Sequence, residues 1–288
     1  MRVLLLVTGR AEELGLAVCL KHAFPDHEFT TWFGDGFTSS WPIPRNARAP
    51  TNLDKLVQRL AAEVACHDHV VLVEDADAAY WKDDMVGLVG AVRAAVRLHL
   101  EKTLNDRMRT RTGDLLKARA SFHLAVPMLE AWFFADTGAL QAAGVPAGTA
   151  QLAKAGDIED FQTDDPAYES ADGAECAAWH AKGDPANQRP QWLRSLPRSR
   201  HPKAYLSWLL RAANELNCSA YRETRQGVDA LAALNLRAAV AAPGQCRFLR
   251  ALVDDLADAL GAVRPEGDCG QLTARANPDR LDPVLRNI

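Results

Sequence analysis

The stretch His69-Val-Val-Leu-Val-Glu-Asp-Ala-Asp77 decides the fold, because an apolar run rich in β-branched residues ends abruptly in three carboxylates. Such a run predicts a strand buried on both faces, as in a parallel sheet. Parallel sheets place ligand sites at the carboxyl ends of their strands. On an extended strand end, Asp75 and Asp77 would point the same way and would repel unless a cation or a proton lies between them. Such oxygen ligands suit Mg²⁺ or Mn²⁺, and the alternative is a strand end that runs into a solvated acidic loop.

The rest of the first 145 residues alternates strand and helix patterns around this strand. Further strands are predicted at Val3–Val7, Glu28–Phe33 and Ser121–Val126, and helices at Glu12–Phe24, Leu53–Cys66 with Asn52 as N-cap, Asp84–Leu104 and Pro127–Leu140. This rhythm predicts an α/β fold with a Rossmann-like parallel sheet and helices on both of its faces.

The character of the sequence changes after about residue 145. We expect residues 1–145 to form the α/β domain, 146–200 an acidic and then basic loop insertion, 201–262 a mainly helical C-terminal part, and 263–288 a polar tail. Asp157–Glu175 holds eight acids and no base, which is typical of an irregular loop. Helical patterns then recur at Ala204–Leu216, Gly227–Leu234 and Cys246–Leu260.

Composition narrows the class of protein. The chain has 288 residues, of which 48% are hydrophobic and 24% charged, as in ordinary globular proteins. A net charge of −4 gives no global attraction to nucleic acid, although a local basic patch would still supply one. No apolar run approaches the length of a membrane span, and the first is too short for a signal peptide, so we expect a cytoplasmic protein with reduced cysteines.

Two glutamates are candidates to join the acidic strand end. The first predicted strand ends in Thr8-Gly-Arg-Ala-Glu-Glu13, where Gly9 permits a tight bend and Glu12 opens the next helix. In a parallel sheet this strand end would lie near Asp75, so Glu12 and the two aspartates would converge on one cation. Glu130 stands in an otherwise apolar helix start and would need a partner or a cation if buried. The alternatives are a helix-dipole role for Glu12 and a surface position for Glu130.

Basic residues supply candidates for phosphate binding. Arg198-Ser-Arg-His-Pro-Lys203 opens a helix, so Arg200, His201 and Lys203 would neutralise phosphate charge unless the run is only a solvated loop. Arg10, after the first strand, is a further substrate-binding candidate, and Lys102–Arg119 is a weaker basic stretch. The chain has no phosphate loop, dinucleotide-binding turn or serine nucleophile elbow.

The order of these motifs resembles that of bacterial TOPRIM-like proteins grouped as domain-of-unknown-function family 4276. The resemblance covers about residue 2 to residue 260. It rests on the turn at Gly9, the Asp75-Ala-Asp77 motif, Glu130-Ala-Trp-Phe-Phe-Ala-Asp136, His201-Pro-Lys203, Tyr221-Arg-Glu-Thr-Arg-Gln-Gly227 and Cys246-Arg-Phe-Leu249.

The resemblance implies a TOPRIM fold in which Asp75 and Asp77 bind Mg²⁺ for phosphoryl transfer on nucleic acid. It also implies, by analogy with some relatives, a partner ATPase in phage defence. One departure bears on catalysis, because the family usually has a glutamate where this chain has Thr8. Threonine cannot act as a carboxylate base or charged ligand, so either Glu12 takes over, or the site binds metal poorly, or catalysis is lost.

Two hypotheses follow from the sequence. The first is a Mg²⁺- or Mn²⁺-dependent nuclease in which Glu12 and Glu130 help Asp75 and Asp77 to hold the metal and Lys203 takes part in catalysis. The second is a catalytically inactive binding or regulatory subunit of the same fold, acting with nucleic acid or a partner protein. The sequence leaves open whether the substrate is DNA or RNA and whether cleavage is endo- or exonucleolytic. It also leaves open the oligomeric state, including a homo-oligomer.

Overall fold

The computed structural model describes residues 1–43, 50–153, 157–170, 198–211, 221–241, 246–264 and 283–288. Four parallel strands form its sheet, in the order β2-β1-β3-β4. Their bounds are β1 Arg2–Val7, β2 Glu28–Phe33, β3 His69–Asp75 and β4 Ala120–Ala125. The predicted α/β fold, with helices on both faces and a helical C-terminal half, is confirmed.

The strands end in register at one edge of the sheet. Val7 of β1 lies opposite both Phe33 of β2 and Val73 of β3, and Asp75 lies opposite Ala125 of β4. The turns that follow these strands therefore meet at the carboxyl edge of the sheet, where parallel folds place their ligand sites.

Helices cover the two faces of the sheet. Along the chain they are α1 Ala17–Ala23, α2 Asn52–Glu63, α3 Asp77–Trp81, α4 Met85–Thr103, α5 Asp106–Arg119, α6 Glu130–Phe133, α7 Thr137–Ala142, α8 Pro166–Ser170, α9 Pro202–Leu209, α10 Val228–Ala233, α11 Leu236–Ala241 and α12 Arg247–Leu260. π-Helical turns at Glu12–Leu16 and Glu223–Gly227 lead into α1 and α10.

Alternation along the strands divides the core in two. Val3, Leu5 and Val7 of β1 point into one core, which α1 and the C-terminal helices complete. Leu4 and Leu6 point into the other, which α2, α4 and α5 cover. This period-two pattern explains why the buried strands read as continuous apolar runs: each neighbouring side chain enters a different apolar layer.

Three local predictions are wrong. The N-cap of α2 is Thr51, not Asn52, because Thr51 and Asp54 exchange the bonds of a capping box. The helix predicted at Pro127–Leu140 is two short helices, since the Asp136 side chain caps a second start by accepting from the Gly138 amide. Strand β3 ends at Asp75, so the Asp-X-Asp motif is not extended throughout.

The segments predicted to be an insertion and a tail contribute buried residues. Phe161 and Tyr168 are fully buried against Tyr205 of α9. At the end of the chain, Leu285 is buried, and the Asn287 amide bonds the main chain of Phe122 on β4. Residues 171–197 and 265–282 of these segments lie outside the described residues.

Candidate functional site

Four of the predicted site carboxylates lie together at the carboxyl edge of the sheet. Glu12 and Glu130 are buried, and Asp75 and Asp77 are partly exposed. Burial raises the pKa of Asp75 well above its ordinary range, and the negative charges of Glu12 and Glu130 raise it further. The charges of these side chains therefore act on one another, and we call Glu12, Asp75, Asp77 and Glu130 the carboxylate cluster.

Gly9 lets Glu12 fold back into the cluster. A Cβ at Gly9 would lie 2.0 Å from Oε2 of Glu12, so any larger residue would displace this carboxylate. Burial raises the pKa of Glu12 to about 8, and the charge of Glu130 adds to the rise. A hydrogen bond from the main-chain amide of Glu12 acts against it. The π-helical turn that carries Glu12 is a distortion that often accompanies functional sites.

The strand end fixes the two aspartates differently. Asp75 Oδ1 accepts a hydrogen bond from the Leu129 amide at 2.9 Å, which ties β3 to the start of α6. Asp77 has a φ of 40° and begins α3, with its amide donating to the Pro127 carbonyl. A positive φ at a non-glycine residue is strained, and such strain is concentrated at functional sites. Burial raises the pKa of Asp77 to about 6.

Lys203 brings the only ammonium group that the described residues place beside the cluster. Its Nζ lies 3.7 Å from Oε1 of Glu130 and makes a closer ion pair with Glu223. Desolvation alone would lower the pKa of Lys203, but Glu130 and Glu223 outweigh it and raise that pKa. Lys203 therefore lies next to Glu130 of the carboxylate cluster.

Two neighbours were not predicted as site residues. Glu223 pairs with Lys203, and Tyr221 is buried, with a pKa raised by burial and by the charge of Glu130. Their position depends on glycine: a Cβ at Gly227 would lie 2.6 Å from the Tyr221 hydroxyl and 3.0 Å from Ala11 Cβ. The glycine is visible in the sequence, at the end of the motif Tyr221-Arg-Glu-Thr-Arg-Gln-Gly227. Nothing local in that motif, however, shows which strand end it contacts.

Oxygen donors and negative charge make the cluster suitable for a hard divalent cation. Carboxylate oxygens are the ligands that Mg²⁺ and Mn²⁺ prefer, and a cation would lower the repulsion that raises these pKa values. Among the described residues, however, no three or more His, Cys, Asp or Glu side chains stand at metal-ligating geometry. The carboxylates fit a cation by chemistry and charge, and would have to move closer together to coordinate it.

A fifth acid, Glu74, lies on the other face of the sheet. Its Oε1 accepts bonds from the Phe37 amide at 3.1 Å and the Thr38 hydroxyl at 2.8 Å, whereas its buried Oε2 has no partner among the described residues. Burial raises the pKa of Glu74 to about 7, although the Thr38 hydroxyl acts against the shift. Alternation along β3 separates Glu74 from Asp75, so Glu74 anchors the 34–40 loop instead of joining the cluster.

Three predicted phosphate-binding residues make contacts with residues outside the carboxylate cluster. Arg10 is exposed, pairs with Glu13 and stacks on Phe33. Arg200 contacts Asp160 and the Tyr80 hydroxyl. His201 is the N-cap of α9, where its Nδ1 accepts from the Ala204 amide. None of these contacts is with a member of the carboxylate cluster.

Comparisons of the chain with protein-family models, curated proteins and solved structures gave no match. The resemblance to TOPRIM-like proteins therefore stays a prediction from the sequence motifs. In a separate search of the described helices, none is long and apolar enough to cross a membrane.

Proposed function

We propose that the chain is a nuclease of the TOPRIM type that depends on Mg²⁺ or Mn²⁺. The observation that carries the proposal is the excess of carboxylates over cations at the carboxyl edge of the sheet. Glu12, Asp75, Asp77 and Glu130 face one described ammonium group, Lys203, which already pairs with a further acid. Such an imbalance destabilises a fold and is typical of sites that bind a charged ligand.

Each residue of the cluster has a role in this proposal. Asp75, Asp77, Glu12 and Glu130 would hold the metal. When bound, the metal polarises a phosphoryl oxygen and lowers the pKa of water. Glu12, which is buried in the cluster, would replace the carboxylate that Thr8 lacks. Lys203 would neutralise phosphate charge in the transition state.

The proposal is tested by incubating labelled single- and double-stranded DNA and RNA with the protein in Mg²⁺, Mn²⁺ or chelator. We expect metal-dependent cleavage that falls by roughly a hundredfold or more in Asp75→Asn. Glu159→Gln is the matched control, because Glu159 is also buried and raised in pKa, to about 8, but caps α12 by accepting from the Phe248 and Leu249 amides. Equal activity in Asp75→Asn and the wild type would refute the proposal.

A non-catalytic binding or regulatory subunit is the second candidate. It is favoured by Thr8, which offers no carboxylate, and by the lack of preassembled metal-ligating geometry among the described residues. It predicts affinity for nucleic acid or for a partner protein that Asp75→Asn leaves unchanged. The partner ATPase and the phage-defence role rest on the motif resemblance alone. Purification of the tagged chain from its native host, followed by mass spectrometry, tests for such an ATPase.

A further inference from the structure

A groove lies between the end of β2 and α2, at the carboxyl edge of the sheet. Its volume is about 480 Å³, which is within the range of small-ligand sites. Trp32 and Gly34 line one side, and Asn52, Leu56 and Arg59 of α2 line the other. The groove borders the turn after β2, and β2 pairs with β1, whose own turn carries Glu12.

Aromatic rings and guanidinium groups stack at this strand end. The guanidinium carbon of Arg59 lies 5.3 Å from the centroid of the Trp32 ring. The next residue of β2, Phe33, has a similar contact: the guanidinium carbon of Arg10 lies 3.9 Å from the centroid of the Phe33 ring. Aromatic rings and arginine planes are the surfaces on which proteins stack unpaired bases. The Nε of Arg59 is buried and has no hydrogen-bond partner among the described residues.

The charges around the groove favour the binding of an uncharged group of a ligand over the binding of a phosphate. Arg59 pairs with Glu63 at 2.7 Å, and Arg10 pairs with Glu13. Asp35 and the exposed Lys55 also line the groove. Since both arginines pair with an acid, stacking on ring and guanidinium planes would dominate binding, and phosphate attraction would contribute little.

We infer that the groove between β2 and α2 binds a nucleobase of a single-stranded nucleic acid. The inference deepens the proposed nuclease function and rests on it, since the base would anchor a strand whose backbone passes to the carboxylate cluster. The side-chain amides of Asn52 and Gln58, which also line the groove, are of the kind that bond base edges.

The test measures binding without cleavage. Fluorescein-labelled oligothymidylate and an abasic oligonucleotide of the same length are titrated with the full chain in chelator, and anisotropy is read. We expect the abasic strand to bind about tenfold more weakly, with a shallow salt dependence for both strands. Trp32→Leu should remove most of the difference between the strands. Arg59→Lys, which keeps the charge and loses the plane, should reduce it in a protein whose circular dichroism is unchanged. Arg237→Lys, at an exposed position on α11, is the matched control.

The outcomes separate this inference from the proposed function. Equal binding of the two strands, or folded Trp32→Leu and Arg59→Lys variants that bind like the wild type, would overturn the base-binding groove. Metal-dependent cleavage that persists in both variants at unchanged strand affinity would leave the nuclease standing and the groove refuted. Base-dependent binding without cleavage in any metal would support the groove and refute the catalytic proposal. No binding of either strand overturns the groove.

Discussion

Two buried charged regions contact β3 and β4, and they differ in charge balance. At the carboxyl edge, the carboxylate cluster has more acids than its neighbouring cation can neutralise. In the body of the sheet, Asp255 of α12 has acceptor contacts on both oxygens: its Oδ2 lies 3.2 Å from His123 Nε2, and its Oδ1 accepts from Arg286 at 2.9 Å. His69 lies 3.8 Å from the same Oδ2.

The pKa values of the two regions move in opposite directions. Burial acts to raise the pKa of Asp255, but the hydrogen bond from His123 and the nearby imidazole of His69 outweigh it and lower that pKa well below its usual range. Burial and like charge raise the pKa of Asp75 and Glu12. A buried acid that is fully partnered contributes to stability, whereas one without countercharge costs stability and indicates a ligand. We therefore assign Asp255 to the fold and propose a ligand site at the carboxylate cluster, which unlike Glu74 and Glu159 brings several acids together.

The largest expected effect is a loss of stability of the metal-free protein at high pH. The folded-state pKa values of Glu12, Glu74 and Asp77 are about 8, 7 and 6, all above their ordinary values. The folded protein thus binds more protons than the unfolded chain between about pH 4 and pH 8, and its free energy of unfolding falls as pH rises through this window. These three shifts together give an expected fall of about 7 kcal/mol from pH 5 to pH 8, to which Glu159 adds in the same direction, measured by urea unfolding in chelator.

The next largest effect is expected at Asp255, whose charge is balanced by the side chains around it. Asp255→Ala removes the acceptor that His69, His123 and Arg286 share, so buried polar groups lose their partner. We expect a loss of about 3–5 kcal/mol at pH 7, with a lower urea midpoint and an unchanged slope. An Asp255→Ala protein as stable as the wild type would contradict the assignment of Asp255 to the fold.

A single substitution in the carboxylate cluster should raise the free energy of unfolding, whereas Asp255→Ala should lower it. Glu12→Gln removes a buried charge without countercharge, so at pH 8 it should raise the free energy of unfolding of the metal-free protein by about 3 kcal/mol. The gain should vanish at pH 5, where the Glu12 carboxyl is already protonated. Destabilisation at both pH values would show that Glu12 is a structural residue.

The sequence predicted the β3 stretch, the four parallel strands and the meeting of Glu12 with Asp75, because continuous apolar runs and strand-end turns are local signals. It missed Glu223 and Tyr221, whose approach depends on packing between distant segments: a Cβ at Gly15 would lie 2.9 Å from Leu231 Cβ. It also misplaced Arg200, because the pairing with Asp160, 40 residues away, has no local signal. Tertiary contacts decided these positions.

The smallest effect concerns a predicted phosphate ligand that lies outside the cluster. Arg200 and Asp160 are both exposed at their ion pair, with side chains 38% and 61% accessible. We expect Arg200→Ala to change the free energy of unfolding by less than about 1 kcal/mol and to leave metal affinity unchanged. Thermal unfolding and metal titration check the two statements. A strong loss of metal affinity would place Arg200 at the site after all.

Calorimetric titration of the full chain with Mn²⁺ at pH 7, in two buffers of different ionisation enthalpy, tests the central claim most directly. A cation that enters a cluster of carboxylates with raised pKa values must displace protons. We predict saturable binding with proton release, lost in Asp75→Asn and kept in Glu159→Gln. Absence of Mn²⁺ binding, or equal binding in wild type and Asp75→Asn, would contradict the assignment of the carboxylate cluster as a cation site.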